Sequence, residues 1–266
     1  KKVLVDAGRY FLKKQGASAG ASESETIHTA ALSLGLSDVA PFDPKKKIIE
    51  ERFMKTTPLA SMTVRAFCEE LASSSPAPGG GSVAALSGAL SAALSSMVAS
   101  LTFEKKGFEG VRPEMERIGE EGHRLLSQQV AAIDDDTFAF NRVMDAFGMP
   151  KGTDEQKAAR KSAIEEATKG ATLEPMGTLE RCASLLDIAA AAAEQGNPNS
   201  LSDAGVAGLM ARAAAHGAYY NVLINLSGIS DEGWTSKIRE KADLLLSQAN
   251  EKAAALEKLM LTKLKG

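Results

Sequence analysis

Aromatic residues are scarce, at 5% of the 266 residues with a single tryptophan. Runs of Val, Ile and Tyr are nearly absent as well, which argues against sheets, because pleated surfaces are built on such side chains. The chain has two cysteines, Cys68 and Cys182. That is too few for a disulfide framework, and the pair lacks metal-ligand spacing, so both are expected as idle thiols in a reducing cytoplasm. Neither charge sign is in large excess: 31 basic and 34 acidic residues are well mixed, for a formal net charge of −3. Nothing in that balance announces nucleic acid or an anionic membrane as a partner. His28, His123 and His216 are widely separated. They form no Ser/His/Asp, Cys/His or HExxH pattern, so they are read as structural or solvated and no metal site is expected. The opening Lys1-Lys2 leads into a mixed segment without the apolar run and cleavage site of a signal peptide. The missing initiator Met suggests that upstream sequence is absent.

Alanine, serine and glycine dominate, and 44% of residues are hydrophobic, enough for a sizeable core. Small side chains let helix axes approach closely, so an all-α, antiparallel multi-helix assembly is expected. Helical patterns run 63–73, 82–102, 113–147, 154–172, 176–195, 202–226 and 235–264. Pro113 suits a first turn, and Pro175 is expected to divide two helices. Residues 1–57 read differently, as a short helical appendage. One helix ends near Gln15-Gly16 and a second runs from about Ser24 to Leu34, with Ser22 or Ser24 as its N-cap. Pro41-Phe42-Asp43-Pro44 then forms an extended or turn segment. A boundary is placed at 57/58. Val83 to Phe103 carries no charge over about the ~20 residues that a bilayer needs. Its serines and alanines keep it only mildly hydrophobic, and Leu86, Leu90 and Leu94 run beside Ser87, Ser91 and Ser95 at i+4 spacing. That pattern suits a helix buried in protein, with its hydroxyls turned to neighbouring backbones or a ligand.

Three constellations could carry chemistry. Gly79-Gly80-Gly81-Ser82 precedes the apolar helix, with Ser82 as a natural N-cap. Free N–H groups there could take a carboxylate, a phosphate or a polar ring edge, and a simple flexible turn accounts for the glycines equally well. Asp134-Asp135-Asp136 lies inside a long helix. With Ile133 at angle zero, Leu126, Phe140, Met144 and Phe147 define an apolar stripe, and only Asp136 falls beside it. Burial and two neighbouring carboxylates would raise its pKa toward the range of a general acid/base. Pairing with a basic residue of the next helix is the structural alternative. Finally, Asp203, Asn221 and Asn225 share one face of a nearly all-apolar helix. A heterocycle with its own donor and acceptor edge would satisfy them, and so would the backbones of adjacent helices.

Taken together, Ala77 to Ala85, Asp134 to Phe140 followed by Met149-Pro150-Lys151, Ser202-Asp203 and Ala218 to Leu226 resemble the formimidoyltetrahydrofolate cyclodeaminase family. The resemblance covers residues 58–266, taken as the cyclodeaminase domain. Ser33 to Leu36, Ala40 to Pro44 and Lys47 to Glu50 resemble the C-terminal tail of the glutamate formimidoyltransferase domain that precedes it in bifunctional members. The catalytic part of that domain would lie upstream, so no transferase activity is expected here. The resemblance implies an enzyme that converts 5-formimidoyltetrahydrofolate to 5,10-methenyltetrahydrofolate with release of ammonia. It places the catalytic carboxylate on Asp136, and folate against Gly79, Gly80, Gly81, Ser82, Asp203, Asn221 and Asn225. No cofactor is implied beyond the folate substrate, with or without a polyglutamate tail. A methenyltetrahydrofolate cyclohydrolase on the same fold and a non-catalytic self-association module are the alternatives. Small-residue surfaces on 82–102 point to a homodimer or a higher homo-oligomer.

Overall fold

The computed structural model describes residues 1–17, 21, 23–38, 40–48 and 58–265. Ser22 and the expected boundary at 57/58 lie outside the described residues. Among those described there is no strand, so the all-α expectation holds. The appendage contains α1 (Lys2–Lys14), α2 (Glu23–Ser33) and the single turn α3 (Pro44–Lys47). Helices α1 and α2 pack at close range, because a Cβ on Gly8 would overlap the Thr26 carbonyl. Lys13 of α1 reaches Glu120 of the main body at 2.8 Å.

The main body begins with a 3-10 turn, Leu59–Ser61, and α4 (Val64–Leu71), capped by the Thr63 hydroxyl. Five long helices follow: α5 (Gly80–Phe103), α6 (Arg112–Phe147), α7 (Asp154–Gln195), α8 (Leu201–Leu226) and α9 (Glu232–Lys265). Close approaches fix their sense. Ser82 meets Ile133 and Gly122 meets Ser96, so α6 runs antiparallel to α5. Gly80 lies against Asn221 and Gly217 against Ala84, so α8 does too. Thr178 bonds Gln129, and Arg160 bonds the Phe147 carbonyl, which sets α7 antiparallel to α6. Helix α5 is long and apolar enough by composition to cross a bilayer, but it packs between α6 and α8 as a core helix.

Several local expectations change. Pro175 does not divide α7, which is continuous over 42 residues. Proline removes the hydrogen bond that residue 175 would donate to the Ala171 carbonyl. The Asn225 Nδ2 of α8 donates to that carbonyl at 2.9 Å, so the helix survives its proline. The predicted stripe on α6 fails at its end, where Met144 and Phe147 are each about half exposed. Helix α5 starts at Gly80, level with Asp136, so the last ~16 Å of α6 overhangs it and has no α5 to pack on. Helix α8 is not apolar all round in its packing. Its buried face is mostly alanine (Ala204, Ala207, Ala211, Ala214, Ala215, Ala218) and ends in Val222 and Leu226, while Val206, Leu209, Tyr220 and Ile224 face outward. On α5 Ser91 and Ser95 turn fully inward, their hydroxyls without partners among the described residues, while Leu90 is exposed and Leu86 and Leu94 are half-buried against the core.

Candidate active site

The start of α5, the middle of α6 and the end of α8 meet at one end of the bundle. Gly79 is the N-cap of α5, so Ser82 is not the cap that its sequence position suggested. It sits inside the first turn, fully buried, and uses its hydroxyl across the interface instead. That hydroxyl lies 2.9 Å from the Ile133 carbonyl, 3.1 Å from Asp136 Oδ2 and 3.3 Å from Thr137 Oγ1. A serine has one proton to donate. If Ile133 receives it, the contact with Asp136 needs a proton from the carboxyl group. Burial, which disfavours the charged form, holds the Asp136 carboxyl above the usual carboxylate range, while the Ser82 hydroxyl and backbone N–H pull it back down.

The glycines have specific tasks. A Cβ on Gly81 would overlap the Asp136 carboxylate, so only glycine admits this acid against the first turn of α5. At Gly80 a Cβ would lie 3.2 Å from Asn221 Nδ2. Asn221 donates that nitrogen to the Gly217 carbonyl at 2.8 Å. Asn225 gives its own to Ala171, as described above. Their carbonyl oxygens have no partner among the described residues, so each is available as an acceptor. Gly79 has open space around it.

The structure therefore brings Gly79, Gly80, Gly81, Ser82, Asp136, Asn221 and Asn225 to one end. Asp203 is the exception. It shares a helical face with Asn221 but lies in the first turn of α8, ~27 Å away along the axis. Common angle on a wheel does not make a common pocket.

Two residues at this end went unnoticed in the sequence. Glu174 of α7 lies beside Arg142 of α6 at 3.9 Å. Burial and the nearby charge of Asp135 push its carboxyl up, Asp136 adds to this, and Arg142 opposes it. Burial and Asp134 likewise raise Asp135, against the pull of Arg142 and Arg181. Glu174 follows the acidic run by nearly forty positions, and only the α6–α7 pairing places it there. Among the described residues no cluster of His, Cys, Asp and Glu could hold a metal ion. Cys182 is buried, which pushes its thiol up to about 12, and so it offers no nucleophile.

A half-buried acid of raised proton affinity, held by a hydroxyl beside two amide oxygens, can move a proton on a bound heterocycle. Comparison with known proteins gives the family. The formiminotransferase-cyclodeaminase family model matches residues 63–244, and that of the formiminotransferase domain matches residues 1–54. A methenyltetrahydrofolate cyclohydrolase of Methylorubrum extorquens is 43% identical over 70% of this chain and 90% of its own. The formimidoyltransferase-cyclodeaminase of Rattus norvegicus is 35% identical over 95% of this chain but only 47% of its own, so the chain spans about half the length of such relatives. The crystal structure of formiminotetrahydrofolate cyclodeaminase from Thermotoga maritima superposes with a TM-score of 0.68. It is 32% identical and covers 76% of this chain and 96% of that one. The chain belongs to the formiminotransferase-cyclodeaminase family.

Proposed function

We propose that the chain is a cyclodeaminase that closes 5-formimidoyltetrahydrofolate to 5,10-methenyltetrahydrofolate and ammonia, with Asp136 as its acid/base group. The observation that carries this is the Asp136 carboxyl, held by Ser82 and pressed on Gly81, with its proton affinity raised by burial. N10 adds to the amidinium carbon on N5. The Asp136 carboxylate takes the N10 proton and delivers it to the amino group, which leaves as ammonia with the C–N bonding pair, and the positive charge remains on the methenyl bridge. Holding N5 and N10 together makes the step intramolecular. Proton transfer of this kind contributes typically ~10²–10⁴-fold. Folate is the only small molecule that this route requires. The Asn221 and Asn225 oxygens would accept from the donor edge of the pterin.

Beyond the site, Lys151, Lys157, Arg160 and Lys161, with Glu165 as the one acidic neighbour, line a cavity of about 400 Å³ between the start of α7 and the loop after α8. It suits the carboxylates of the glutamate tail, single or multiple. The outward apolar residues Leu90, Met97 and Leu101 of α5 and Leu209, Tyr220 and Ile224 of α8 support a homodimer. A cytoplasmic setting fits both the folate chemistry and the free cysteines.

The second reading is methenyltetrahydrofolate cyclohydrolase activity, favoured by the 43% identity to the Methylorubrum enzyme. The transferase-type match over residues 1–54 favours the deaminase, because a formimidoyltransferase would supply the formimidoyl substrate. Each folate supplied separately decides between them. Ammonia and methenyl product formed together from 5-formimidoyltetrahydrofolate support the proposal. Loss of methenyltetrahydrofolate with no ammonia from the formimidoyl compound would overturn it.

A further inference from the structure

Asp134 is the residue of the acidic run that turns away from Asp136, and both of its oxygens face backbone amides elsewhere. Its Oδ1 accepts the Leu59 N–H at 2.6 Å, and its Oδ2 lies 3.5 Å from the Ala60 nitrogen. Those amides open the Leu59–Ser61 turn, where the first N–H groups have no partner inside the turn. A carboxylate on a different helix therefore supplies the cap, through a short charge-assisted bond.

The capped turn leads into a small apolar strap. Phe67 of α4, with Leu59 and Met62, packs on Ile133 of α6 and Ala85 of α5. The Ile133 carbonyl is the group that the Ser82 hydroxyl approaches, and Ala85 lies one turn along from Ser82. The strap is thus an outer wall on the flank of the Ser82–Asp136 pair. Helix α4 has eight residues and one of them buried, too little to hold that wall by itself. The clamp also falls between the two family matches, where the transferase-type segment joins the main body.

We propose that Asp134 is a positioning residue for the reaction: by capping the Leu59–Ser61 turn it keeps the strap on α5 and α6, so that Asp136 stays dry and Ser82 stays aimed at it. The proposal rests on the reading of Asp136 as the acid/base group. Release of the strap lets water reach one side of Asp136. The other groups around the acid remain: Ser82 of α5, Asp135 and Arg142 of α6, Glu174 and Arg181 of α7, and Asn221 of α8. Asp136 then behaves more like a solvated aspartate, while Gly80 and Asn221 still meet the substrate.

Two variants of the full chain test this. Asp134→Asn removes the charge and leaves one acceptor oxygen for two N–H donors, with an amide nitrogen turned on the other. Leu59→Pro deletes the bonded N–H and leaves the acidic run intact. The backbone accepts proline there, because Pro58 is already extended (ψ 147°), as a residue before proline should be. In both, kcat is expected to fall about tenfold, ~1.4 kcal/mol in barrier, with KM changed little. The acid limb of the rate profile is expected to move to lower pH. Both variants keeping the wild-type kcat and acid limb, with only the melting temperature lowered, would overturn the proposal. So would loss of activity in Asp134→Asn that Leu59→Pro does not reproduce. Amide exchange at Leu59 and Ala60 reads the clamp without any assay: faster exchange in Asp134→Asn supports it and unchanged protection refutes it. Asp136→Asn tests the parent reading separately.

Discussion

Asp136 holds its proton to higher pH in the folded chain than in the unfolded one. Folding therefore binds a proton between the two values. The stability tied to this group is fully present in acid and is lost as pH rises through the folded pKa. Asp136→Asn removes that penalty, so its melting temperature should exceed the wild type at neutral pH, by ~2–4 °C for each kcal/mol relieved. The same variant should lose at least ~10²-fold in turnover. Melting curves at pH 5 and pH 8 check the first part, since the gap between variant and wild type should widen at the higher pH. Gly81→Ala is the complementary change: its methyl must displace the Asp136 carboxylate. Turnover should collapse while stability falls by only ~1–3 kcal/mol, which denaturant titration beside the assay would show.

At the scale of elements, the proline in α7 and the asparagine in α8 form one device. Asn225→Ala leaves the Ala171 carbonyl without its donor, at a cost of ~1–3 kcal/mol. In a Pro175→Ala background residue 175 regains its N–H and can bond Ala171 itself. The second substitution should then cost much less, and a double-mutant cycle measures the coupling. The serine stripe of α5 yields another outcome. Ser91 and Ser95 bury hydroxyls without partners. Ser95→Ala should therefore be neutral or stabilising by up to ~1 kcal/mol, read from the urea midpoint. The elements themselves were legible from composition and helical pattern: Pro113 does lie in the first turn of α6. The capping box of Thr153 and Gln156 that starts α7 was not read there. The fate of Pro175 was not legible, because its compensating donor lies fifty positions further on.

For the whole molecule, the exposed apolar residues of α5 and α8 lie on the two helices that meet at the site. If they bury a second copy, Leu209→Glu should convert a homodimer to a monomer in sedimentation, since an unpaired charge cannot be buried there cheaply. The inward faces of both helices are mostly alanine, serine and glycine, with Val98, Val222 and Leu226 as larger exceptions, and Leu90, Met97, Leu101, Leu209, Tyr220 and Ile224 point outward. Sequence periodicity could not reveal that inversion, because small residues contribute little to an apolar stripe even where they are the most deeply buried.

The sequence by itself determined the helical class and the family, and it singled out Asp136 as the aspartate of the run that lies beside the apolar stripe. Helix periodicity and the order of motif blocks are properties of neighbouring residues, and they survive without a third dimension. Tertiary structure decided what each polar group was for. Asp203, on the right face, lay at the wrong end of its helix. Ser82 turned from a helix cap into a partner of the acid, and Asn225 into the donor that lets α7 pass through a proline. Glu174 joined the acidic site across a helix pair, and Asp134 left it to hold the strap. Such partners lie tens of positions apart, and only packed helices set the distances between them.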